Sequence, residues 1–535
     1  MQTNTHRHLI ALPRGGDEVF LSWRMLEGDG GYALDRRRPG EAWSVVEPVA
    51  EATSYVDRTD GGRFEYRVRM NGGTSEIVSV DASAPATNVA MRARLPFENG
   101  KQFRLAVTGD VRNDGRAGYV VRYVRADRVR LCALEASGRA LWDVDTRIPA
   151  TGGWNGSAHH VPFLCWDVDA DGRTEVVYHE GGDAWPEGEP DASYRGGRPG
   201  ERLVIADAET GEIKRSAPWP GRCARTMMTV GLFGGAGEPA CAVVLDETYG
   251  DVTITAVDGA TADVAWQVQQ GRAAGHNLDV ADIDGDGRQE VIAGGVCYDG
   301  DGSVRWEAEE FGHTDMSKPA DILPDRPGLE IWYNVERGNP GVYLVDKDGA
   351  TLWKEPYRHA HYGWIAKLTE SEPGLQLHCA EDARHEYGAA DAGMRGAGHF
   401  PVFRGDGSHL IELDDAKRKS LMPVQWEDGP LTVFVDRKRK EIVRLREDGS
   451  TETIESLPPG VRLGRNLVHA DVVGDHRENI VTIDEDTCEL VVLANTRPTA
   501  SRRPSPMESS YYRHDRSQHG SGYYMYVPPH RVGVE

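Results

Sequence analysis

Residues 277–295 read NLDVADIDGDGRQEVIAGG, and this stretch decides the fold of the chain. An apolar strand-like run ends in an acidic loop, and a second apolar run follows it. Residues 296–306 (VCYDGDGSVRW) then form a hairpin around Asp-Gly. We call the segment at residues 277–295 the opener of a repeat unit. Clear versions of it also begin at Arg104, Pro162, Lys318 and Val468, and weaker ones begin near Met228, Trp364 and Met422. The sequence therefore repeats one unit of four short strands about eight times.

Four short strands per unit, repeated around an axis, are typical of a β-propeller blade. We expect an all-β protein with an eight-bladed propeller at residues 86–535, which also carries the catalytic groups. Seven blades are the second choice because the weak copies are easily miscounted, and a linear β-solenoid is disfavoured because its rungs are shorter and more regular. Residues 1–85 contain short alternating strands around Trp23 and resemble a fibronectin type III β-sandwich.

Composition excludes several classes of function. The chain has 535 residues, 39% of them hydrophobic, and a formal charge of −24, which disfavours nucleic acid as a partner. No apolar run is long enough to span a membrane, and the seven cysteines lie too far apart for a disulfide framework. The first residues lack the apolar core of a signal peptide, so a cytoplasmic location is favoured, or an extracellular one if a leader was removed. We expect a monomer.

Two of the acidic loops match a calcium-binding pattern. They are Asp167-x-Asp169-x-Asp171-Gly-x-x-Glu175 and Asp282-x-Asp284-x-Asp286-Gly-x-x-Glu290. Alternate aspartates supply hard oxygen ligands, glycine allows the sharp turn, and the glutamate can complete the shell. The alternative is an acidic turn without metal. We expect several calcium ions, mainly structural, at the corners of the blades.

The order of motifs resembles that of polysaccharide lyase family 11, the rhamnogalacturonan lyases. The series runs FLSWRM, GSAHHVPFLCWDVDADGRTEV, GHNLDVADIDGDGRQEVIAGG, FGHTDMSKPADILPDRPGLEIW and ADVVGDHREN, and ends with Pro-Pro-His at residues 528–530. Membership implies an eight-bladed calcium-binding propeller that cleaves the rhamnose–uronate backbone of pectin by β-elimination. That reaction needs a group that neutralises the uronate carboxylate, a base for the C5 proton and an acid for the departing O4.

The sequence departs from the family pattern at positions that carry this chemistry. The family lysine before the ADxxGDxRE segment is missing, and Arg462 or Arg465 stands in its neighbourhood. A family VHE reads Asn-Val-Glu336, and Lys318 replaces a typical histidine. We therefore expect Lys318 and Arg337 to hold the uronate carboxylate, the arginine by a two-pronged contact, with Arg465 as a further substrate-binding group.

Histidines supply the candidate acid and base instead. His361 with Tyr362 is the first choice for the catalytic pair, and His313 and His160 are the alternatives. These histidines lie where repeat units begin, as does His276, a further substrate-binding candidate, so a propeller brings them to one face. Because neighbouring residues of a strand point to opposite sides, His361 and Tyr362 can share a pocket only if a loop or bulge carries them. The C-terminal tyrosines, Tyr524 among them, are expected either to stack on sugars or to pack the closure.

The predicted partner is thus an acidic, rhamnose-containing polysaccharide or oligosaccharide. Two other readings of the sequence remain open. A glycoside hydrolase on the same glycan would need paired carboxylates, with Asp315, Glu336 and Glu381 as candidates. A calcium propeller without catalysis would bind a glycan or a protein on its face.

Overall fold

The structure is a computed structural model that describes residues 6–26, 28–50, 52–70, 73–95, 101–150, 160–182, 200–222, 226–235, 237–246, 250, 252–308, 311–357, 359–381, 400–463, 467–518 and 526–531. Within them the secondary structure is almost entirely β, which confirms the predicted class. No helix among the described residues is long and apolar enough to cross a membrane.

The first eight strands form two sheets of their own. The sheets are ordered β1-β2-β5 and β4-β3-β6-β7, and β8 pairs with β6. Trp23 is fully buried in the core between them, against Tyr32 and Leu34. The strands are Ile10–Gly15 (β1), Glu18–Ser22 (β2), Tyr32–Arg37 (β3), Ser44–Ala50 (β4), Ser54–Arg58 (β5), Arg63–Met70 (β6), Gly73–Thr74 (β7) and Val78–Asp81 (β8).

The next strand, Val89–Arg94 (β9), leaves this unit and becomes the outer strand of the last sheet of the chain. Eight four-stranded antiparallel sheets follow, and the strands of the first four are consecutive in sequence. These strands are Lys101–Gly109 (β10), Gly118–Arg125 (β11), Arg128–Leu134 (β12), Ala140–Pro149 (β13), Phe163–Trp166 (β14), Glu175–Glu180 (β15), Arg202–Asp207 (β16), Ile213–Pro218 (β17), Thr226–Gly231 (β18), Cys241–Asp246 (β19), Val252–Asp258 (β20), Val264–Gln270 (β21), Asp279–Ala281 (β22), Glu290–Ala293 (β23), Val296–Tyr298 (β24) and Val304–Glu307 (β25).

The second four sheets have the same order, except that the last is built from β38, β39, β40 and β9. Their strands are Thr314–Ala320 (β26), Glu330–Val335 (β27), Gly341–Val345 (β28), Thr351–Glu355 (β29), Ala360–Ala366 (β30), Gln376–Glu381 (β31), Pro401–Phe403 (β32), His409–Glu412 (β33), Leu421–Val424 (β34), Val433–Asp436 (β35), Glu441–Leu445 (β36), Thr451–Ser456 (β37), Leu467–Ala470 (β38), Asn479–Asp484 (β39) and Glu489–Leu493 (β40). The α-helices among the described residues are Asp415–Ser420 and Ser510–Ser517.

The eight sheets follow one another around a closed circuit. First strands of successive sheets contact each other from β10 to β34, and β10 also contacts β38. Shared apolar clusters join the seventh sheet to the eighth, around Val433 and Ile480, and the eighth to the first, around Val481 and Tyr119. Each sheet packs against a neighbouring sheet on both of its faces. Strands such as β15 and β19 are therefore buried along their whole length.

The C-terminal helix Ser510–Ser517 packs against the first strands of several sheets. It contacts the first strands β10, β14, β18 and β38. His514 Nε2 lies 2.7 Å from the carbonyl oxygen of Val230, and Lys318 Nζ lies 2.6 Å from Asp515 Oδ1. The helix therefore links the last sheet to the first three and, through Lys318, to the fifth.

Candidate active site

Three neighbouring sheets bring their first strands together at one edge of the circuit. His276 precedes β22, His313 precedes β26, and His359 and His361 lie at the start of β30. The backbone N–H of His276 donates to the carbonyl of Thr314 at 3.0 Å, next to a parallel bridge between Gly275 and Thr314. A Cβ atom on Gly275 would lie 2.2 Å from the Thr314 carbonyl oxygen, so only glycine permits this close approach.

The convergence produces one compact group, which we call the histidine cluster: His276, His313, Asp315, Glu336, His359 and His361. His313 Nε2 lies 3.0 Å from His276 Nε2 and 3.4 Å from Glu336 Oε2. His276 Nε2 lies 3.6 Å from Asp315 Oδ1. Five of the six residues are buried, and His361 keeps 16% of its side chain exposed. His361 is therefore the member that a substrate reaches most readily.

Asp315 is the electrostatic centre of the histidine cluster. Its Oδ2 contacts His359 Nε2 at 3.0 Å and also His361 Nδ1. Burial opposes the charge on this carboxyl, but the hydrogen bonds from both imidazoles outweigh it and hold the pKa of Asp315 well below its usual range. The ionised aspartate fixes the orientation of the rings around it and stabilises a positive charge on either of them.

The histidine cluster can also hold a metal ion. One set of donor atoms comes from His276, His313, Asp315 and Glu336, and a second comes from Asp315, His359 and His361. Imidazole nitrogens mixed with carboxylate oxygens suit zinc, manganese or iron, whereas calcium prefers oxygen ligands alone. The donor chemistry thus favours a transition metal over calcium at this position.

Three of the four predicted histidines lie together in the structure. His276, His313 and His361 belong to one cluster, and a register shift between Ala360 and Tyr362 makes His361 a bulge residue. The side chain of Tyr362 lies outside the described part, as do His159, Arg465 and Tyr524. His160 precedes β14, beside Val161, which packs against Val129 and Ile148.

The two predicted carboxylate-binding cations have different surroundings. Arg337 has 56% of its side chain exposed, and its Nε donates to Glu336 Oε1 at 3.0 Å, so it stands at the rim of the histidine cluster. Lys318 is buried, and its Nζ pairs with Asp515 and donates to Gln518 Oε1 at 2.9 Å. Its assignment to the uronate is corrected accordingly: Lys318 anchors the C-terminal helix, because a buried ammonium must be neutralised where it lies.

The C-terminal tyrosines that the structure describes also face inward. Tyr512 and Tyr526 are buried, and their hydroxyls donate to Glu478 at 2.9 and 2.8 Å. They pack the closure of the circuit rather than forming a surface for sugar rings. Only Tyr511 of the described tail tyrosines remains partly exposed.

The acidic loops fold as tight turns at the opposite ends of the first strands. Oxygens of Asp167, Asp169 and Glu175 lie close together, as do those of Asp282, Asp284 and Glu290, so each trio can hold a metal ion. The third aspartates take other roles within the turns. Asp171 and Asp286 each accept a backbone N–H two residues later at 2.8 Å, from Arg173 and Arg288.

Two features of the site were open to sequence reasoning but were missed. His359 lies two residues before His361, and Asp315 lies two residues after His313. Side chains two apart on a strand share a face, so this spacing was enough to predict that the members of each pair act together. The basic residues that reach the acidic loops, Lys214 and Arg305, follow no comparable motif, because they come from the fourth strand of their sheets.

Taken together, these elements describe an all-β protein with a buried cluster of histidines and carboxylates where three sheets meet. The sequence model "Rhamnogalacturonan lyase family 11, C-terminal domain" matches residues 255–532, which is more than half of the chain. The chain belongs to rhamnogalacturonan lyase family 11 and is a polysaccharide lyase. The predicted family is confirmed.

Curated relatives extend the similarity over almost the whole chain. The rhamnogalacturonan endolyase YesW of Bacillus subtilis (strain 168) is 24% identical over 95% of this chain and 87% of its own length. The rhamnogalacturonan exolyase YesX of the same organism is 25% identical over 96% of this chain and 92% of its own.

Solved structures show the same fold. The crystal structure of YesW superposes with a TM-score of 0.75 at 21% identity, covering 97% of this chain and 95% of that one. The rhamnogalacturonan lyase PL11 of Bacillus licheniformis gives a TM-score of 0.75 at 20% identity, covering 98% and 95%.

Proposed function

We propose that this chain cleaves a rhamnose-α-1,4-uronate linkage by β-elimination, with the histidine cluster as its catalytic centre. The observation that carries the proposal is the contact of the partly exposed His361 with the ionised Asp315, at the rim where Arg337 stands. The glycan is of the rhamnogalacturonan I type or a related rhamnose–glucuronate polymer, as the family and the relatives suggest.

The architecture that fits this function is an eight-bladed propeller at residues 86–535 with a fibronectin type III-like module at residues 1–85. Eight four-stranded sheets and the closure of the last one by β9 support the blade count. The two small sheets around Trp23 support the separate N-terminal module. The catalytic groups belong to the fourth, fifth and sixth sheets, so the proposed substrate face lies on the larger unit.

His361 is the proposed base for the C5 proton. Its Nδ1 faces Asp315, so the proton of the substrate is taken at Nε2. Asp315 holds the ring in one orientation and stabilises the imidazolium that forms, as carboxylates do in acid–base pairs. His313 is the proposed acid that protonates O4, and Tyr362 is the alternative.

The uronate carboxylate must be neutralised before its C5 proton becomes acidic enough to leave. Arg337 is exposed and adjacent to Glu336, so its guanidinium is placed to bind a carboxylate by two parallel hydrogen bonds. A cation held by His276, His313, Asp315 and Glu336 would supply further positive charge at the same place, and Tyr362 would then be the acid because His313 would serve as a ligand. Calcium, the ion that the resemblance implied, matches this nitrogen-rich set poorly, and no step is assigned to it.

The test is a panel of rhamnose-containing acidic polysaccharides, assayed for the ultraviolet absorbance of the unsaturated uronate product. We expect His361→Ala to lower turnover by about 10²-fold or more if His361 is the base. His409→Ala is the matched control, since His409 is an exposed residue of the same sheet, and its rate should match that of the wild type.

A near-normal rate for His361→Ala would remove His361 from the proposal and pass the same test to His313 and His160. New reducing ends without the absorbance would indicate hydrolysis by carboxylates such as Asp315 and Glu336. No product of either kind from any glycan in the panel would contradict catalysis on this class of substrate.

A further inference from the structure

The fourth strand of every one of the eight sheets carries a bulge at the same register position. In the second sheet Ile205 pairs with Arg215 and Ala206 with Ile213, so Lys214 is the extra residue. In the fourth sheet Cys297 pairs with Trp306 and Tyr298 with Val304, so Arg305 is extra. A bulge turns the side chain of its extra residue away from the regular alternation of the strand.

The other six sheets have an apolar residue at this position. In order of residue number, these residues are Ala90, Leu141, Ala265, Leu352, Leu410 and Ile454. Five of the six, all except Ala265, pack against the apolar clusters between sheets. The bulge residue thus packs against an apolar cluster in five sheets, is the exposed Ala265 in one, and is a cation in the remaining two.

The two exceptions coincide with the two complete acidic loops. Only the second and fourth sheets contain the full Asp-x-Asp-x-Asp-Gly-x-x-Glu pattern, and these are the sheets whose bulge residue is Lys214 or Arg305. The other six sheets provide a comparison, because each lacks the full set of carboxylates and also lacks a basic residue at the bulge position.

Each cation reaches the acidic group of its own sheet. Lys214 Nζ lies 2.7 Å from Asp169 Oδ2 and 2.8 Å from both Asp171 Oδ2 and Glu175 Oε1. The ammonium therefore lies among three carboxylates, as a bound ion would. Burial disfavours its charge, but the hydrogen bonds to these carboxylates outweigh burial and raise the pKa of Lys214 above its ordinary value.

Arg305 makes the corresponding contacts in the fourth sheet. Its Nη1 lies 2.6 Å from Asp284 Oδ2, and its Nη2 lies 3.3 Å from Glu290 Oε1. Its Nε lies 2.6 Å from Asp299, on the hairpin of the same sheet. One guanidinium therefore ties the acidic loop to the hairpin.

We propose that Lys214 and Arg305 are built-in counter-ions that take the place of calcium in the two complete acidic loops. A divalent ion among the same oxygens would lie beside a fixed positive charge and would have to displace it. The loops are therefore held together without metal, and the sequence pattern that predicts calcium there is satisfied by the chain itself.

In the second sheet two further oxygens show where calcium would bind if the lysine were removed. Asp167 Oδ1 and Asp169 Oδ1 are buried and accept no hydrogen bond from the described residues. Replacing Lys214 by methionine keeps the aliphatic stem and removes the charge, leaving these oxygens with those of Glu175 as a set of hard ligands. The substitution should convert the loop into a calcium site.

The experiment compares thermal melting of the full-length wild type and Lys214→Met, each in excess chelator and in excess calcium. Binding to the folded state alone raises the melting temperature by mass action. We expect the variant to melt lower than the wild type in chelator and to gain several degrees more from calcium than the wild type does. Lys417→Met is the control, because Lys417 forms an exposed ion pair with Asp414 and should leave the calcium response unchanged.

Comparing responses between variants removes the contribution of any ion bound elsewhere, including the histidine cluster. A wild-type gain from calcium that Lys214→Met reproduces unchanged would overturn the proposal for the second sheet. Arg305→Met gives the same test for the fourth sheet. A variant that folds only with calcium supports the proposal.

If Lys214→Met folds in neither condition, calcium titration of the wild type and of Asp169→Asn decides. Calcium uptake by the wild type that Asp169→Asn lowers would show an ion at Asp169 and would contradict the built-in counter-ion. Equal uptake by both proteins supports it.

Discussion

At the scale of single residues, the site depends on one carboxylate shared among imidazoles. Asp315 contacts His359 and His361 through Oδ2 and lies 3.6 Å from His276 through Oδ1. Burial opposes the charge of Asp315, but hydrogen bonds from His359 and His361 lower its pKa and favour the carboxylate form. Asp315 therefore acts through the rings that it orients, and it is a positioning residue for the proposed base.

The substitution Asp315→Asn tests this role. We expect a loss of turnover of about 10- to 100-fold, the usual effect of removing a carboxylate that orients a functional histidine. The pH–rate profile should shift as well, since the imidazolium of His361 loses its stabilising charge and His361 becomes a weaker base. Asp348→Asn, on the exposed hairpin of the same sheet, is the control. An unchanged pH profile would restrict Asp315 to a structural role.

At the scale of one sheet, the second strand begins with a side chain that closes the preceding loop. Glu175, Glu290 and Glu330 accept backbone N–H groups of their loops at 2.8–3.1 Å. In the sixth sheet the same position is Gln376, whose Oε1 accepts the N–H of Leu368 at 2.6 Å. The hydrogen bond is thus retained with or without a charge.

The charge at this position makes stability depend on pH. Burial raises the pKa of Glu330 to about 7, above the ordinary value near 4.5. A carboxyl group whose pKa is higher in the folded protein than in the unfolded chain adds stability at pH values below its unfolded pKa. This contribution is lost as the pH rises through the folded pKa of about 7. Glu330→Gln should therefore stabilise the protein at pH 8 relative to pH 5, by on the order of 1 kcal/mol.

Urea unfolding of Glu330→Gln and wild type at both pH values measures this difference. The exposed Glu307→Gln provides the comparison for a general charge effect. A gain that is equal at pH 5 and pH 8 would mean that Glu330 does not titrate in this range.

At the scale of the whole molecule, the C-terminal helix connects the sheets through buried charges. Arg516 and Glu478 are fully buried, with Nη2 and Oε1 3.0 Å apart, and Asp515 pairs with Lys318. Tyr512 and Tyr526 complete the hydrogen bonding of Glu478. Because the helix touches strands from four sheets, its loss leaves charges unpaired around the circuit.

Removing one partner measures this contribution. We expect Arg516→Met to lower the free energy of unfolding by about 3 to 5 kcal/mol, since it leaves Glu478 buried without its cation. The double variant Arg516→Met/Glu478→Gln should recover part of the loss, because no unpaired charge remains. Chemical denaturation of the three proteins tests this, and a double variant as unstable as the single one would assign the cost to packing.

The sequence by itself determined the all-β class, the family and three of the four histidines of the histidine cluster. Repeats are local patterns of apolar alternation and turn residues, so each copy predicts one sheet. Histidines at the same position of different repeats are therefore expected at equivalent positions in their sheets. The weak openers near Trp364 and Met422 nevertheless form complete sheets, because neighbouring sheets supply the burial that their sequences signal poorly.

Only the tertiary structure decided which charges meet. Lys318 pairs with Asp515, close to 200 residues further along the chain, and Lys214 meets Glu175 through a bulge that shifts its side chain by one register. Neither contact has a local signature, since an ion pair depends on distance in space and on the burial that excludes water. Sequence thus located the acidic loops, whereas the fold determined the cations that neutralise them.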